Sequence, residues 1–121
     1  MKQPLSYSFV VEGNPIPKQR HRTRKGIPYT PARTRRWEAH VAGCYQGPKF
    51  DGPVRVEMAF YRETRRRCDL DNLSKSVWDA LNGVAYDDDA QIIESCQYRA
   101  LDRERPRVEV TITEIVKGGT E

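Results

Sequence analysis

Two acidic clusters in the middle of the chain limit what this sequence can fold into. Segments 68–72 and 86–90 together hold five aspartates: Asp69, Asp71, Asp87, Asp88 and Asp89. Carboxylates packed this closely repel one another, and a fold tolerates them only where something positive joins them. A hard divalent cation such as Mg²⁺ does this, because it takes oxygen ligands and keeps some of its waters. The clusters therefore predict a cation-binding site.

The basic residues are concentrated in the first half of the chain. Residues 1–50 carry ten Lys/Arg and two Asp/Glu, whereas residues 51–121 carry eleven and fifteen, and the net charge of the whole chain is +4. From Lys18 to Arg36 there are eight basic residues and no acidic one, with Tyr29 and Trp37 interleaved. Side chains that neutralise phosphates supply much of the affinity for DNA or RNA. This segment therefore predicts nucleic-acid binding rather than an ordinary solvated face.

Length and cysteine usage exclude several classes of protein. A chain of 121 residues predicts one domain over residues 1–121. The three cysteines are widely spaced, without a C-x-x-C motif, so neither a disulfide framework nor a zinc site is predicted. No signal peptide or long apolar stretch is present, and we expect a cytoplasmic protein without a membrane partner. The low hydrophobic share of 37% favours extra burial by self-association.

Apolar periodicity predicts four strands and two helices. Alternation and β-branched content predict strands at 5–11, 53–61, 91–100 and 107–115. Helices are predicted at 31–45, with Thr30 as the N-cap and Pro31 as the first helical residue, and at 70–82. Residues 18–29 are predicted to form a basic N-terminal loop. The order β-α-β-α-β-β predicts an α/β (α+β) fold, with a small mixed β-sheet and two helices packed on one face.

Asp69 and Asp71 fall at the start of the second predicted helix, where a purely structural role is an alternative to a metal site. Both residues could serve simply to cap the helix and complement its dipole. A calcium loop is another alternative, but its fifth position would be the apolar Leu73 and its twelfth Ala80 rather than Glu. A short connection after the helix can bring the second acidic cluster near the first, which favours the metal site.

Lys75 lies one helical turn after Asp71, and two roles are open for it. It could form an i,i+4 ion pair with Asp71 on a solvated face. It could instead direct its charge at a phosphate whose negative charge grows in a transition state.

Three segments of the sequence resemble the RusA-type Holliday junction resolvases, which are phage and prophage endonucleases. They are Arg65-Arg66-Arg67-Cys68-Asp69-Leu70-Asp71-Asn72-Leu73-x-Lys75, Asp79-Ala80-Leu81-Asn82-Gly83 and Asp88-Asp89-Ala90-Gln91-Ile92. The combination of D-L-D-N-L-x-K with a later D-D-A-Q is specific to this family. The resemblance covers nearly the whole chain, from the Pro15-x-Pro17-Lys18 entry to the last predicted strand.

The resemblance implies a homodimer of mixed α/β fold that acts as a Mg²⁺-dependent crossover junction endonuclease in DNA recombination and repair, with Mn²⁺ as the expected substitute metal. It implies no small-molecule cofactor. In the family pattern the acidic ligands fall on Asp69, Asp71 and Asp89, and the catalytic lysine falls on Lys75. Cys68 departs from the pattern, because that position is often basic. The run of three aspartates leaves open whether Asp88 or Asp87 shares the role of Asp89.

The mechanism predicted on this basis uses both kinds of charge. Three carboxylates hold one or two Mg²⁺ ions that activate a water for in-line attack on a phosphodiester. Lys75 offsets the extra negative charge of the transition state. A two-fold symmetric dimer supplies two identical sites for the two cuts that a four-way junction requires. The DNA backbone is expected to contact Lys18, Arg20, Arg22, Arg24, Lys25, Arg66 and Arg67.

Two alternatives of different class stay open at the level of sequence. One is a non-catalytic nucleic-acid-binding module whose acidic cluster is structural. The other is a metal nuclease that acts on other branched DNA, such as flaps or replication forks.

Overall fold

A four-stranded mixed sheet forms the frame of the protein. The computed structural model describes residues 3–19 and 22–116, with only the backbone of Arg22. In chain order its elements are β1 (Ser6–Glu12), β2 (Arg22–Arg24), β3 (Ile27–Tyr29), α1 (Ala32–Cys44), β4 (Val54–Arg62), α2 (Leu70–Ala80), a short 3-10 helix (Asp89–Gln91), β5 (Ile92–Leu101) and β6 (Arg107–Glu114).

The strands of the main sheet are ordered β1-β6-β4-β5. β6 pairs antiparallel with both β1 and β4, whereas β4 and β5 are parallel. A parallel pair needs a long crossover connection, and here the segment containing α2 supplies it. The mixed sheet with two helices that the sequence predicts is confirmed.

The hydrophobic core lies between the two helices and one face of the sheet. Alternate residues of β4, such as Val56 and Phe60, are fully buried beneath the helices. α1 and α2 contribute further buried side chains, among them Val41 and Leu73, and each such burial stabilises the fold by about 1.5–3 kcal/mol. Side chains on the other face of β4, such as Glu57, are exposed or half-buried. Both helices therefore pack on one face, as predicted.

The predicted bounds of the helices need small corrections. α1 begins at Ala32, and Pro31 itself occupies the N-cap with an extended ψ of 143°, so Thr30 is not the cap. α2 begins at Leu70 as predicted but ends at Ala80. Gly83, with a φ of 78°, lies in the turn that follows. Within the described residues no helix is long and apolar enough to cross a membrane.

The prediction of a loop over residues 18–29 is wrong for its second half. β2 and β3 pair antiparallel in a separate two-stranded sheet, and Lys25-Gly26 forms the turn between them. The φ angles of Lys25 and Gly26 are 54° and 79°. Positive φ at both turn residues gives the tight hairpin turn that matches strand twist, and glycine adopts it without strain. The basic segment is thus partly an exposed hairpin.

Candidate functional site

The start of α2 presents two exposed carboxylates. Asp69 occupies the N-cap position, where its backbone carbonyl accepts a hydrogen bond from Leu73 N at 3.2 Å. Its side chain, however, makes no capping hydrogen bond. Asp71 lies in the first turn, and both side chains are exposed. Because capping does not occupy the Asp69 carboxylate, it is available to bind something outside the helix.

The three aspartates of the second cluster have different surroundings. Asp87 forms an ion pair with Lys49, with 2.7 Å between the carboxylate and the ammonium group. The Asp88 carboxylate accepts a hydrogen bond from Ala90 N at 3.3 Å and caps the 3-10 helix. Asp89 is half-buried and has neither of these roles. Of the three, Asp89 therefore has the carboxylate least committed to local structure.

Gln91 fixes the position of this acidic turn. Its side-chain oxygen accepts hydrogen bonds from Asp87 N and Asp88 N, at 2.8 and 3.2 Å. Its amide nitrogen donates to the carbonyls of Phe50 and Gly52, at 2.9 and 3.0 Å. An amide both donates and accepts, so a carboxylate could not replace it. From the sequence, Gln91 was known only as part of the D-D-A-Q pattern, and this bridging role was missed. The one signal for it was an amide side chain in an acidic segment.

Asp89 faces the middle and the end of α2. Burial raises the pKa of Asp89 above its ordinary value, and the nearby carboxylates of Asp88 and Asp79 raise it further, while the Lys75 ammonium group opposes them. Lys75 is exposed, and within the described residues it makes no ion pair with Asp71. Within the described residues Lys75 therefore does not pair along its own helix, and its positive charge acts on Asp89.

The three predicted metal ligands lie on two segments of the chain. Asp69 is the N-cap of α2 and Asp71 lies in its first turn, whereas Asp89 follows the helix and is influenced by the charges of Lys75 and Asp79 on it. No group of three His, Cys, Asp or Glu side chains within the described residues is arranged to hold a metal ion. The donor chemistry nevertheless fits a hard cation, since all three predicted ligands offer carboxylate oxygens.

Lys18 is held by carboxylates. Its ammonium group lies 2.7 Å from Glu38 on α1 and 3.1 Å from Asp79 on α2. Burial alone would lower the pKa of Lys18, but these two hydrogen bonds outweigh it and the pKa is raised. Its backbone N–H also donates to the Asn72 carbonyl at 2.8 Å. Lys18 thus links the entry segment to both helices, a role that its place in a basic run did not suggest, and its contact with DNA stays a prediction.

The other predicted DNA-binding residues lie on two surfaces. Arg24 and Lys25 are exposed on the hairpin, and the Arg24 guanidinium lies over the Tyr29 ring at 5.4 Å. Arg66 and Arg67 are exposed in the loop between β4 and α2. Arg20 and the side chain of Arg22 lie outside the described residues.

A comparison with protein families identifies the chain. A family model described as "Endodeoxyribonuclease RusA" matches residues 12–113. The chain belongs to the RusA family. The match spans both acidic clusters, α2 and the basic hairpin, so the resemblance read from the D-L-D-N-L-x-K and D-D-A-Q motifs is confirmed.

Individual RusA relatives match along most of their length. The crossover junction endodeoxyribonuclease RusA of Escherichia coli strain K12 is 29% identical over 115 residues, which are 91% of this chain and 96% of the relative. The protein of the same name from Enterobacteria phage 82 has the same identity and coverage, 29% over 91% of this chain and 96% of the relative. That from Aquifex aeolicus is 30% identical over 73 residues, 55% of this chain and 58% of the relative.

The raised pKa of Asp89 predicts how this RusA family member responds to pH. A carboxyl group whose pKa is higher in the folded state makes ionisation costly to folding, so stability is lost as pH rises through the folded-state pKa. We expect Asp89→Asn to raise the melting temperature of the metal-free protein at pH 7, and to raise it less near pH 4. Thermal unfolding in EDTA at both pH values measures this. Asp87→Asn, in an exposed ion pair, is the matched control. A lowered melting temperature at pH 7 contradicts the prediction.

Proposed function

We propose that this RusA family member is a Mg²⁺-dependent, structure-selective endodeoxyribonuclease that resolves four-way DNA junctions by paired, symmetric cleavage of phosphodiesters. One observation carries the proposal. The exposed carboxylates of Asp69 and Asp71 make no hydrogen bond or ion pair within the described residues, and only Cys68 separates Asp69 from the arginine run 65–67. Cation-binding and phosphate-binding groups thus adjoin in the chain, and a metal-dependent phosphodiesterase needs them side by side.

The residues that would hold the metal are Asp69, Asp71 and Asp89. Bound there, Mg²⁺, or Mn²⁺ in its place, would lower the pKa of a coordinated water and stabilise the charge that develops on the phosphodiester oxygens. The carboxylates supply oxygen ligands of the type that these ions prefer. Lys75, exposed and near Asp89, contributes positive charge to the same helix face. Burial raises the pKa of Asp89, and the carboxylates of Asp88 and Asp79 add to this effect, which a cation bound to Asp89 would oppose.

The basic surfaces would hold the DNA backbone. The hairpin is exposed and lies outside the main sheet, so its cations can reach a phosphate without distorting the core. Arg66 and Arg67 lie next to the candidate metal ligands and would act closer to the cleaved bond. We include Lys18, Arg20 and Arg22 in the same DNA-binding set on sequence grounds.

The edge strand β5 is the surface that we assign to a second copy of the chain. β5 pairs with β4 on one side only, and its side chains Ile93 and Tyr98 are 64% and 57% exposed. Proteins usually cover a long exposed edge strand, because its unpaired backbone groups are a template for pairing. A two-fold axis through this edge would pair β5 antiparallel with its copy and give a homodimer with two equivalent sites. We place this enzyme in the cytoplasm of a bacterial cell, with a phage or prophage origin.

Cleavage of a labelled four-way junction tests the proposal. The assay compares the junction with a linear duplex of the same sequence and with flap and fork substrates, in Mg²⁺, in Mn²⁺ and in EDTA. It measures binding as well as cleavage and maps the cut in each strand. We expect paired nicks at symmetric positions, with metal and with the junction only. Binding without cleavage in either metal would favour the non-catalytic module. Equal cleavage of flaps or forks would favour a nuclease for other branched DNA.

A further inference from the structure

A concave pocket beside the start of α2 is lined mainly by arginine. Its volume is about 320 Å³. It lies where the end of β4, the following loop and the end of β5 meet. The lining includes five arginines and one threonine: Arg62, Thr64, Arg65, Arg66, Arg67 and Arg99.

The positive charge of this pocket is not compensated by the protein. No carboxylate lines the pocket, and within the described residues none of its five arginines forms an ion pair. Elsewhere Arg55 and Arg107 on the main sheet, and Arg105 between β5 and β6, each pair with a carboxylate. Five like charges in one concavity repel one another, so an anion from outside the chain would stabilise them.

The pocket is built from residues fixed in the fold. Arg62, the last residue of β4, is only 7% exposed, and its Nη1 donates to the Arg66 carbonyl at 2.8 Å. Its buried Nε has no hydrogen-bond partner in the described structure. The loop above it turns where Arg66 N donates to the Thr64 hydroxyl oxygen at 3.1 Å. Burying a guanidinium with incomplete partners costs stability.

Arg99 places the pocket next to the candidate active site. It projects from β5, and its Nη1 donates to the carbonyl of Cys68, the residue immediately before Asp69. One wall of the pocket is therefore attached to the start of α2. A DNA strand held in the pocket by one phosphate would bring a neighbouring phosphate towards Asp69 and Asp71.

We propose that this arginine pocket binds a backbone phosphate of the DNA strand beside the bond to be cut. The inference rests on the proposed function. It adds a defined phosphate site, which the arginine run 65–67 alone did not specify. Arginine suits this ligand, since its planar guanidinium donates two parallel hydrogen bonds to phosphate oxygens. Arg62 and Arg99 join the run only through the parallel pairing of β4 and β5.

Salt-dependent binding tests the pocket without requiring cleavage. The affinity of a labelled four-way junction is measured in EDTA over a range of salt concentrations, for the wild type, Arg65→Gln and Arg99→Gln. Each pocket variant should bind about tenfold more weakly, and the slope of log affinity against log salt should fall by about 0.9 for one lost phosphate contact. Arg55→Gln is the matched control, because it removes the same charge from the sheet face opposite the helices. Its slope should equal that of the wild type.

A junction with one neutral methylphosphonate identifies the phosphate. The substitution is moved one position at a time along the strand on either side of the cleaved bond. At one position we expect about a tenfold loss of affinity for the wild type and little further loss for Arg99→Gln, since that contact is already absent. Two results would overturn the proposal that the pocket binds a phosphate. One is a loss of affinity on methylphosphonate substitution that is the same in both proteins at every position. The other is an unchanged salt slope in both pocket variants. If the pocket proposal failed in this way but cleavage were normal, the proposed function would stand. If the methylphosphonate effect depended on Arg99 but no cleavage occurred, the pocket would be supported and the proposed function contradicted.

Discussion

Asp69→Asn and Asp71→Asn should each slow junction cleavage by about a thousandfold or more and leave junction binding intact. A bound metal contributes several kcal/mol of transition-state stabilisation, and each 1.36 kcal/mol is about tenfold in rate. An amide is a poor substitute for a carboxylate ligand, so most of that contribution should be lost. Single-turnover cleavage at saturating Mg²⁺ measures the rate. Binding in EDTA should be unchanged or tighter, because negative charge beside the DNA has been removed.

We expect the substitution of Asp69 to leave the fold intact, so a loss of cleavage would not be due to unfolding. Asparagine is as good an N-cap residue as aspartate, and the Asp69 side chain makes no capping hydrogen bond to lose. Asp87→Asn is the matched control: it removes the same charge from a carboxylate that pairs with Lys49, and it should cleave at the normal rate. If folded Asp69→Asn lost binding and cleavage together, the acidic cluster would be structural.

Regular elements were predictable because burial imposes a period on the sequence. β4 alternates apolar and polar side chains, and its observed bounds differ from the predicted 53–61 by one residue at each end. α2 carries Leu73 and Val77 at helical spacing, and both are fully buried. The β2–β3 hairpin was missed because its strands are short and exposed, which leaves no burial period to detect. Only Gly26 in the turn gave a signal.

The arrangement of the candidate site depended on contacts between distant residues. Glu38 and Asp79 share the Lys18 ammonium group only because α1 and α2 pack side by side. Arg62 and Arg99 line one pocket only because β4 and β5 are parallel neighbours, which spacing along the chain does not reveal. The choice among Asp87, Asp88 and Asp89 likewise depended on partners that no local pattern specifies. Their surroundings favour Asp89, and its role as a metal ligand stays a prediction.

Lys75 is expected to act on the substrate rather than on its own helix. An i,i+4 pair with Asp71 would contribute about 0.2–0.5 kcal/mol, but that pair does not form within the described residues. Lys75 is exposed, and its charge lowers the pKa of Asp89 against the effect of burial and of neighbouring carboxylates. A free ammonium group near the predicted ligands is placed to offset negative charge on a phosphate. Its removal should therefore affect rate much more than stability.

Two substitutions of Lys75 separate a contact with phosphate from a general effect of charge. Lys75→Ala should fold with nearly normal stability, bind junctions and cleave them about a hundredfold more slowly or worse. Lys75→Arg keeps the charge near Asp89 but presents a planar fork instead of a compact ammonium, so we expect it to be impaired as well. Single-turnover cleavage at saturating Mg²⁺, with enzyme in excess and over a range of pH, measures both variants. Lys49→Ala, which removes an exposed lysine paired with Asp87, is the control and should cleave normally. Full activity of Lys75→Arg would show that only the positive charge at this position matters. Full activity of Lys75→Ala would show that Lys75 has no catalytic role.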